Sequence, residues 1–123
     1  MATERVDARQ LKVKGSAQAH DSLVRACCEL LELRGIVAAP INQKARQDSR
    51  GRWRGAAPVG FPDIVACAPF GQLVLIECKT GGARVHATQR DTLAEWSRAG
   101  ALCLTVRSVD ELQRALQAEG LAR

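Results

Sequence analysis

Apolar and polar positions are patterned most clearly in the middle of the chain. Residues 64–68 are apolar, residues 69–72 have the composition of a turn, and residues 73–76 are apolar again. This pattern predicts a β-hairpin. Because side chains alternate between the faces of a strand, Glu77 and Lys79 share a face with Leu73 and Leu75, whereas Cys78 faces the other side. Two charged residues therefore stand at the end of an otherwise apolar strand.

Further elements flank this hairpin. Apolar residues at helical spacing predict three helices, and a glycine after each of the first two marks a natural end. Two other apolar segments predict strands, the second returning parallel to the hairpin by a crossover. The predicted helices are residues 16–34, 84–98 and 110–118, the last capped by Ser108 or Asp110, and the further strands are residues 36–41 and 101–106.

Length and charge set the outer limits of the interpretation. A chain of 123 residues is enough for one domain with its own core. We expect residues 1–15 to form a mobile N-terminal arm and residues 16–123 to form that domain. The formal net charge of +5 favours a polyanionic partner. The chain shows no signal peptide and no long apolar run, so we expect a cytoplasmic protein of bacterial or phage type, with no membrane partner.

The chain contains five cysteines, an odd number, and all of them lie in apolar contexts. Their spacing lacks the paired pattern of a zinc site. We therefore expect small core residues in a reducing compartment. They are Cys27, Cys28, Cys67, Cys78 and Cys103.

A basic polar stretch, residues 42–60, precedes the hairpin. Cations of this density could neutralise phosphates, and the single tryptophan among them could stack on an unpaired base. A solvated loop whose tryptophan packs back onto the fold is the alternative. The candidate nucleic-acid contacts are Lys44, Arg46, Arg50, Arg52, Trp53 and Arg54.

Residues of the hairpin itself could form a metal site. Asp63 precedes the first strand, and Glu77 and Lys79 end the second. Mg²⁺ prefers hard oxygen ligands, usually one or two carboxylates with water, backbone carbonyl or phosphate. Asp63, Glu77 and the backbone carbonyl of Cys78 could bind Mg²⁺ or Mn²⁺, with Lys79 beside the attacking water. Such a group suits hydrolysis of a phosphodiester.

The sequence resembles the PD-(D/E)xK nuclease superfamily, and its VRR-NUC branch in particular. Gly60-Phe61-Pro62-Asp63 followed by Glu77-Cys78-Lys79 matches the central motif, and the basic stretch ahead of it and Gln89 beyond it also fit. The resemblance covers roughly residues 16–115. It implies an α/β fold with a restriction-endonuclease-like core, in which helices flank a mixed sheet of about four strands.

The resemblance also implies roles for residues outside the hairpin. Gln89 would face the catalytic edge and help to position water or phosphate, unless it is an exposed helix residue. The resembled enzymes usually carry a glutamate near the start of the first helix, and this chain departs from them there. His20 occupies the expected position and Asp21 is next to it. Either could complete the metal shell, or both could be ordinary residues of the helix start.

These features lead to the hypothesis of a metal-dependent DNA endonuclease that reads branched structure, such as a Holliday junction, in DNA repair or recombination. One cleft per chain implies a homodimer if two strands are to be cut. A binding module that has the fold without the chemistry is the main alternative, and the missing helix glutamate favours it. A small-molecule phosphatase would fit the carboxylates but not the arginine-rich stretch.

Overall fold

The structure is a computed structural model, which describes residues 8–41, 46–54 and 60–121. Three helices and six strands lie in this part of the chain. The helices are α1 (Ala8–Leu33), α2 (Ala87–Arg98) and α3 (Val109–Ala118). The strands are β1 (Val37–Pro40), β2 (Arg46–Gln47), β3 (Trp53–Arg54), β4 (Ile64–Ala68), β5 (Gln72–Cys78) and β6 (Leu102–Val106), with a 3-10 turn, Pro69–Gly71, between β4 and β5. No helix among the described residues is both long enough and apolar enough to cross a bilayer.

Four of the strands form one mixed sheet in the order β1-β4-β5-β6. β4 pairs antiparallel with β1 and with β5, and β6 pairs parallel with β5. This confirms the predicted α/β class and the predicted four-stranded mixed sheet. It also confirms the hairpin and the parallel return of the last strand.

The core lies where α1 and α3 pack on the sheet. Buried side chains alternate along β4, as expected for a strand with two different faces, whereas β5 is buried on both faces from Val74 to Cys78. Cys27 on α1 and Cys78 on β5 are both buried in this core, and the interaction between the two thiols lowers the pKa of Cys27 and raises that of Cys78. The buried cluster is Cys27, Leu31, Ile36, Ile64, Ala66, Ala68, Val74, Ile76, Cys78, Val106, Leu112 and Leu116.

The first helix is longer than its apolar stripe predicts. It begins at Ala8 rather than at residue 16, so residues 8–15 of the predicted arm are helical. Gly15 lies inside it, where glycine costs only about 1 kcal/mol relative to alanine and does not end a helix. Residues 1–7 lie outside the described part of the chain, and the arm remains a prediction for them.

The second helix begins later than predicted, at Ala87 rather than at residue 84. The preceding loop is held by Arg107, whose guanidinium donates to the carbonyl oxygens of Gly81 at 3.2 Å and Ala83 at 2.8 Å. The third helix begins at Val109, and its cap is Ser108, whose hydroxyl accepts from the Glu111 N–H. Asp110 lies in the first turn instead.

Part of the basic stretch forms a second, two-stranded sheet. β2 and β3 pair antiparallel, which the sequence analysis missed because strands of two residues carry no periodic signal. The turn between them is closed by Asp48, whose Oδ1 accepts from the backbone N–H groups of Arg50 and Arg52, both at 2.9 Å. We call residues 46–54 the basic ribbon.

The prediction that all five cysteines are core residues is wrong for Cys67. Cys27 and Cys78 are buried and Cys28 and Cys103 are partly buried, but Cys67 is exposed. It alternates with Ala66 and Ala68, whose side chains face the core, so it lies on the outer face of β4.

A close approach between two backbones fixes the entry to β4. Gly60 has a φ of +82°, and a Cβ atom at this position would lie 2.7 Å from the Thr88 carbonyl oxygen and 2.8 Å from the Thr92 hydroxyl oxygen, both on α2. Phe61 then packs edge-to-face on Trp96 of the same helix, with the ring centroids 5.7 Å apart. The chain just ahead of Asp63 is therefore seated directly on α2.

We predict that Gly60→Ala lowers the free energy of unfolding by about 2 kcal/mol or more, because a side chain there combines a left-handed backbone with a backbone clash. Urea unfolding measures the loss. Gly82→Ala is the matched control, since a Cβ atom there meets nothing within 4 Å. Equal stability of the two variants would contradict the close packing of this segment on α2.

Candidate active site

The hairpin brings the two predicted metal-binding carboxylates together. Ile64 pairs with Ile76, so Asp63 and Glu77 lie one step beyond this pair, on adjacent strands and on the same face. Both are buried: Glu77 is 2% exposed and Asp63 is 8% exposed. The backbone N–H of Cys78 donates to Asp63 Oδ2 at 2.8 Å, which locks the aspartate against the end of β5.

Burial of this acidic pair raises the pKa of Glu77 to about 7. Loss of hydration is the largest cause, and the nearby Asp63 carboxylate adds to it. Lys79 opposes the shift. Glu77 Oε2 is buried and has no hydrogen-bond partner among the described residues. A buried oxygen of this kind costs free energy unless something binds it.

Lys79 and Gln89 form a small network on the other oxygen of Glu77. Gln89 Nε2 donates to Glu77 Oε1 at 3.0 Å, and Lys79 Nζ donates to Gln89 Oε1 at 2.8 Å. Lys79 Nζ is also 3.5 Å from Glu77 Oε1. The same Gln89 oxygen accepts from the His86 N–H at 3.1 Å, which ties the network to the start of α2. Gln89 is therefore not an exposed helix residue.

Of the two candidates at the first helix, the structure brings only His20 to the site. His20 Nε2 lies 3.2 Å from Asp63 Oδ2. Asp21 has a side chain that is 80% exposed, and its nearest approach to His20 is 3.8 Å, on the far side of the imidazole.

The oxygen donors of the site suit a hard divalent cation. In an extended strand the N–H and C=O of one residue point to the same side. The Cys78 carbonyl therefore faces the side of Asp63, as its N–H does. Among the described residues, no group of three or more His, Cys, Asp or Glu side chains is arranged to hold a metal ion. An ion here would take Asp63, Glu77 and the Cys78 carbonyl, and water or substrate would supply the rest, which is how Mg²⁺ is usually held.

Five of the six predicted nucleic-acid contacts lie in the described part of the chain, within the basic ribbon. Arg50 and Arg52 are exposed in the turn of the basic ribbon. Arg46, Trp53 and Arg54 lie on its strands, where the backbone alone is described, with Arg46 opposite Arg54 in the register. Lys44 lies outside the described residues.

Arg107 was not among the predicted site residues, yet it holds the loop between Lys79 and α2. Its two hydrogen bonds to that loop connect residues far apart in sequence, and an arginine after a strand carries no signal of such a contact. The loop that it holds carries Arg84 and His86, both exposed.

One comparison with known proteins bears on the fold. No protein-family model matches the chain, and no curated protein matches its sequence. A solved structure described as a VRR_NUC domain superposes with a TM-score of 0.58 over 80% of this chain and 95% of that chain, at 17% sequence identity. The chain has a VRR-NUC fold. This likeness confirms the fold that the sequence resemblance implied. At 17% identity it bears on the fold alone.

The raised pKa of Glu77 predicts how the stability of the metal-free protein depends on pH. In the unfolded chain a glutamate ionises near pH 4.5, whereas folded Glu77 ionises near 7. Between these values the unfolded state holds fewer protons, so stability falls as pH rises, by at most about 3 kcal/mol. We expect Glu77→Gln to remove this part of the slope in urea unfolding, and Glu95→Gln, at an exposed position, to leave it. An unchanged slope in Glu77→Gln would contradict the raised pKa.

Proposed function

We propose that the protein is a divalent-metal-dependent DNA endonuclease. The observation that carries the proposal is the pair of buried carboxyl groups at the strand ends, with Glu77 Oε2 lacking any partner among the described residues. Burial of two acids side by side has no structural benefit of its own. A bound cation would offset the repulsion between them and satisfy that oxygen. When bound, it would polarise the scissile phosphate and lower the pKa of a water ligand.

Lys79 supplies the positive charge of the proposed mechanism. Its ammonium group is nearly buried and stays on the carboxylate side of the site through Gln89 Oε1 and Glu77 Oε1. From there it orients the attacking water or offsets the charge that develops on the phosphoryl oxygens. Gln89 acts through Lys79 and Glu77, because its amide bonds to both, and is a positioning residue.

The basic ribbon is the proposed contact to DNA. Asp48 orders its turn from within, so that Arg50 and Arg52 are exposed at the tip on a defined backbone. A two-stranded ribbon fits the major groove of a duplex, and arginines at its tip can bind phosphates or base edges. The ribbon lies in the chain shortly before Gly60 and Asp63, so a duplex that it holds would lie near the cleft.

We further propose that the substrate is branched DNA and that the protein acts as a homodimer. Each chain offers one pair of carboxylates, and cutting two strands of a junction symmetrically needs two such sites. A symmetric dimer on a four-way junction, in DNA repair or recombination, meets this requirement.

A nucleic-acid-binding module without catalysis is the second candidate. One observation favours it: α1 presents an imidazole rather than a carboxylate to the site, so the described residues hold only two acidic ligands. This candidate predicts binding to DNA without cleavage, which an assay can separate from the first.

We predict metal-dependent cleavage of a labelled four-way junction, and slower cleavage of a matched linear duplex. EDTA should abolish cutting. Asp63→Asn and Lys79→Ala should each lower the rate by about 100-fold or more, because they remove a metal ligand and the charge beside the phosphate. Glu32→Gln, which changes an exposed carboxylate on α1, is the matched control and should cut at the normal rate.

Intact cleavage by Lys79→Ala would contradict the mechanism. Salt-sensitive binding of the junction without cutting in Mg²⁺ or Mn²⁺ would select the binding module instead, and equal cutting of junction and duplex would contradict only the preference for branched DNA.

A further inference from the structure

Two nitrogen atoms from different parts of the fold converge on one oxygen of Asp63. Oδ2 accepts from the Cys78 backbone at 2.8 Å and lies 3.2 Å from His20 Nε2 on α1. We infer that His20 is a positioning residue, which holds Asp63 through its Nε2–H so that the other oxygen, Oδ1, is left for the divalent ion. The inference rests on the metal-dependent function proposed above.

The chemistry of the contact decides which nitrogen carries the hydrogen. An ionised carboxylate only accepts hydrogen bonds, so the imidazole nitrogen that faces it must be the protonated one. A protonated ring nitrogen has no lone pair for a metal ion. His20 therefore does not bind the ion through Nε2 while this contact lasts, and its Nδ1 faces Asp21 on the other side, at 3.8 Å.

The two carboxyl groups of the site are arranged alike. In Asp63, Oδ2 is engaged by two donors, and Oδ1 receives no N–H donor from the described residues. In Glu77, Oε1 accepts from Gln89 and faces Lys79, and Oε2 has no partner there. Each acid thus has one oxygen held by the protein and one left over. Two such oxygens, one from each strand, are the hard ligands that a small divalent cation takes from a protein.

His20 gives the Asp63 carboxylate a second contact, from outside the hairpin. The Cys78 N–H belongs to β5, whereas His20 belongs to α1, so together they stop the Asp63 carboxylate from turning about its own axis. Hydrogen-bond partners of this kind orient metal ligands, and their loss typically weakens metal binding by about 10–100-fold. The role differs from that of a ligand, because it needs a donor rather than a lone pair.

Mn²⁺ binding by calorimetry tests this role. We expect wild type and His20→Gln to bind with similar affinity, because the glutamine amide places an N–H donor close to where Nε2 lies. His20→Ala should bind about 10-fold more weakly or worse. Glu29→Gln, at an exposed position on α1, is the matched control and should bind as wild type does. Circular dichroism of each metal-free variant shows whether it is folded.

The protonation of the imidazole gives a second readout that does not depend on cleavage. Long-range proton–nitrogen spectra of the Mg²⁺-loaded protein above neutral pH should show His20 with its hydrogen on Nε2. A metal-bound, unprotonated Nε2 would overturn the inference and make His20 a ligand, while the proposed nuclease would stand. Equal weakening in His20→Gln and His20→Ala would overturn it too. Failure of the wild type to bind Mn²⁺ would overturn the proposed metal-dependent function itself, and this inference with it.

Discussion

The repulsion between two buried carboxyl groups is the constraint on which the rest of the site depends. Asp63 and Glu77 face the same side at the end of an antiparallel ladder, and burial together with their mutual charge raises the pKa of Glu77 to about 7. The surrounding contacts offset part of the free energy that burial of the two acids costs. The Cys78 N–H and His20 contact one oxygen of Asp63, and Gln89 and Lys79 contact one oxygen of Glu77. Glu77 Oε2 is left without a partner in the described residues, and a cation would complete the set.

The elements around the hairpin keep these groups in register. α2 is seated on the approach to Asp63 through Gly60 and through the edge-to-face contact of Phe61 with Trp96, and its first turn carries Gln89 into the site. A shift of α2 along the sheet would therefore disturb the Lys79 network and the Asp63 entry together. This coupling explains how a helix with no buried apolar residue of its own among those described can still hold a side chain of the candidate site in place.

The sequence predicted those parts of the molecule that follow from local periodicity. Alternation along β5 was enough to place Glu77 and Lys79 on one face, and the order of strands and helices was enough for the mixed sheet. The convergence of His20 Nε2 and the Cys78 N–H on Asp63 Oδ2 could not be predicted, because it joins α1 to β5 across a tertiary contact. The basic ribbon was missed because Asp48, rather than any apolar pattern, closes its turn. The contacts that hold the loop ahead of α2 come from the distant Arg107 and carry no local signal.

The presence of a cation between the two acids is tested most directly by anomalous scattering from crystals soaked in Mn²⁺. We expect one peak between Asp63 and Glu77, with Glu77 Oε2 and Asp63 Oδ1 among its ligands and His20 still bonded to Oδ2. A peak elsewhere on the molecule, or no peak and a Glu77 oxygen still without a partner, would contradict the assignment of this pair as a metal centre.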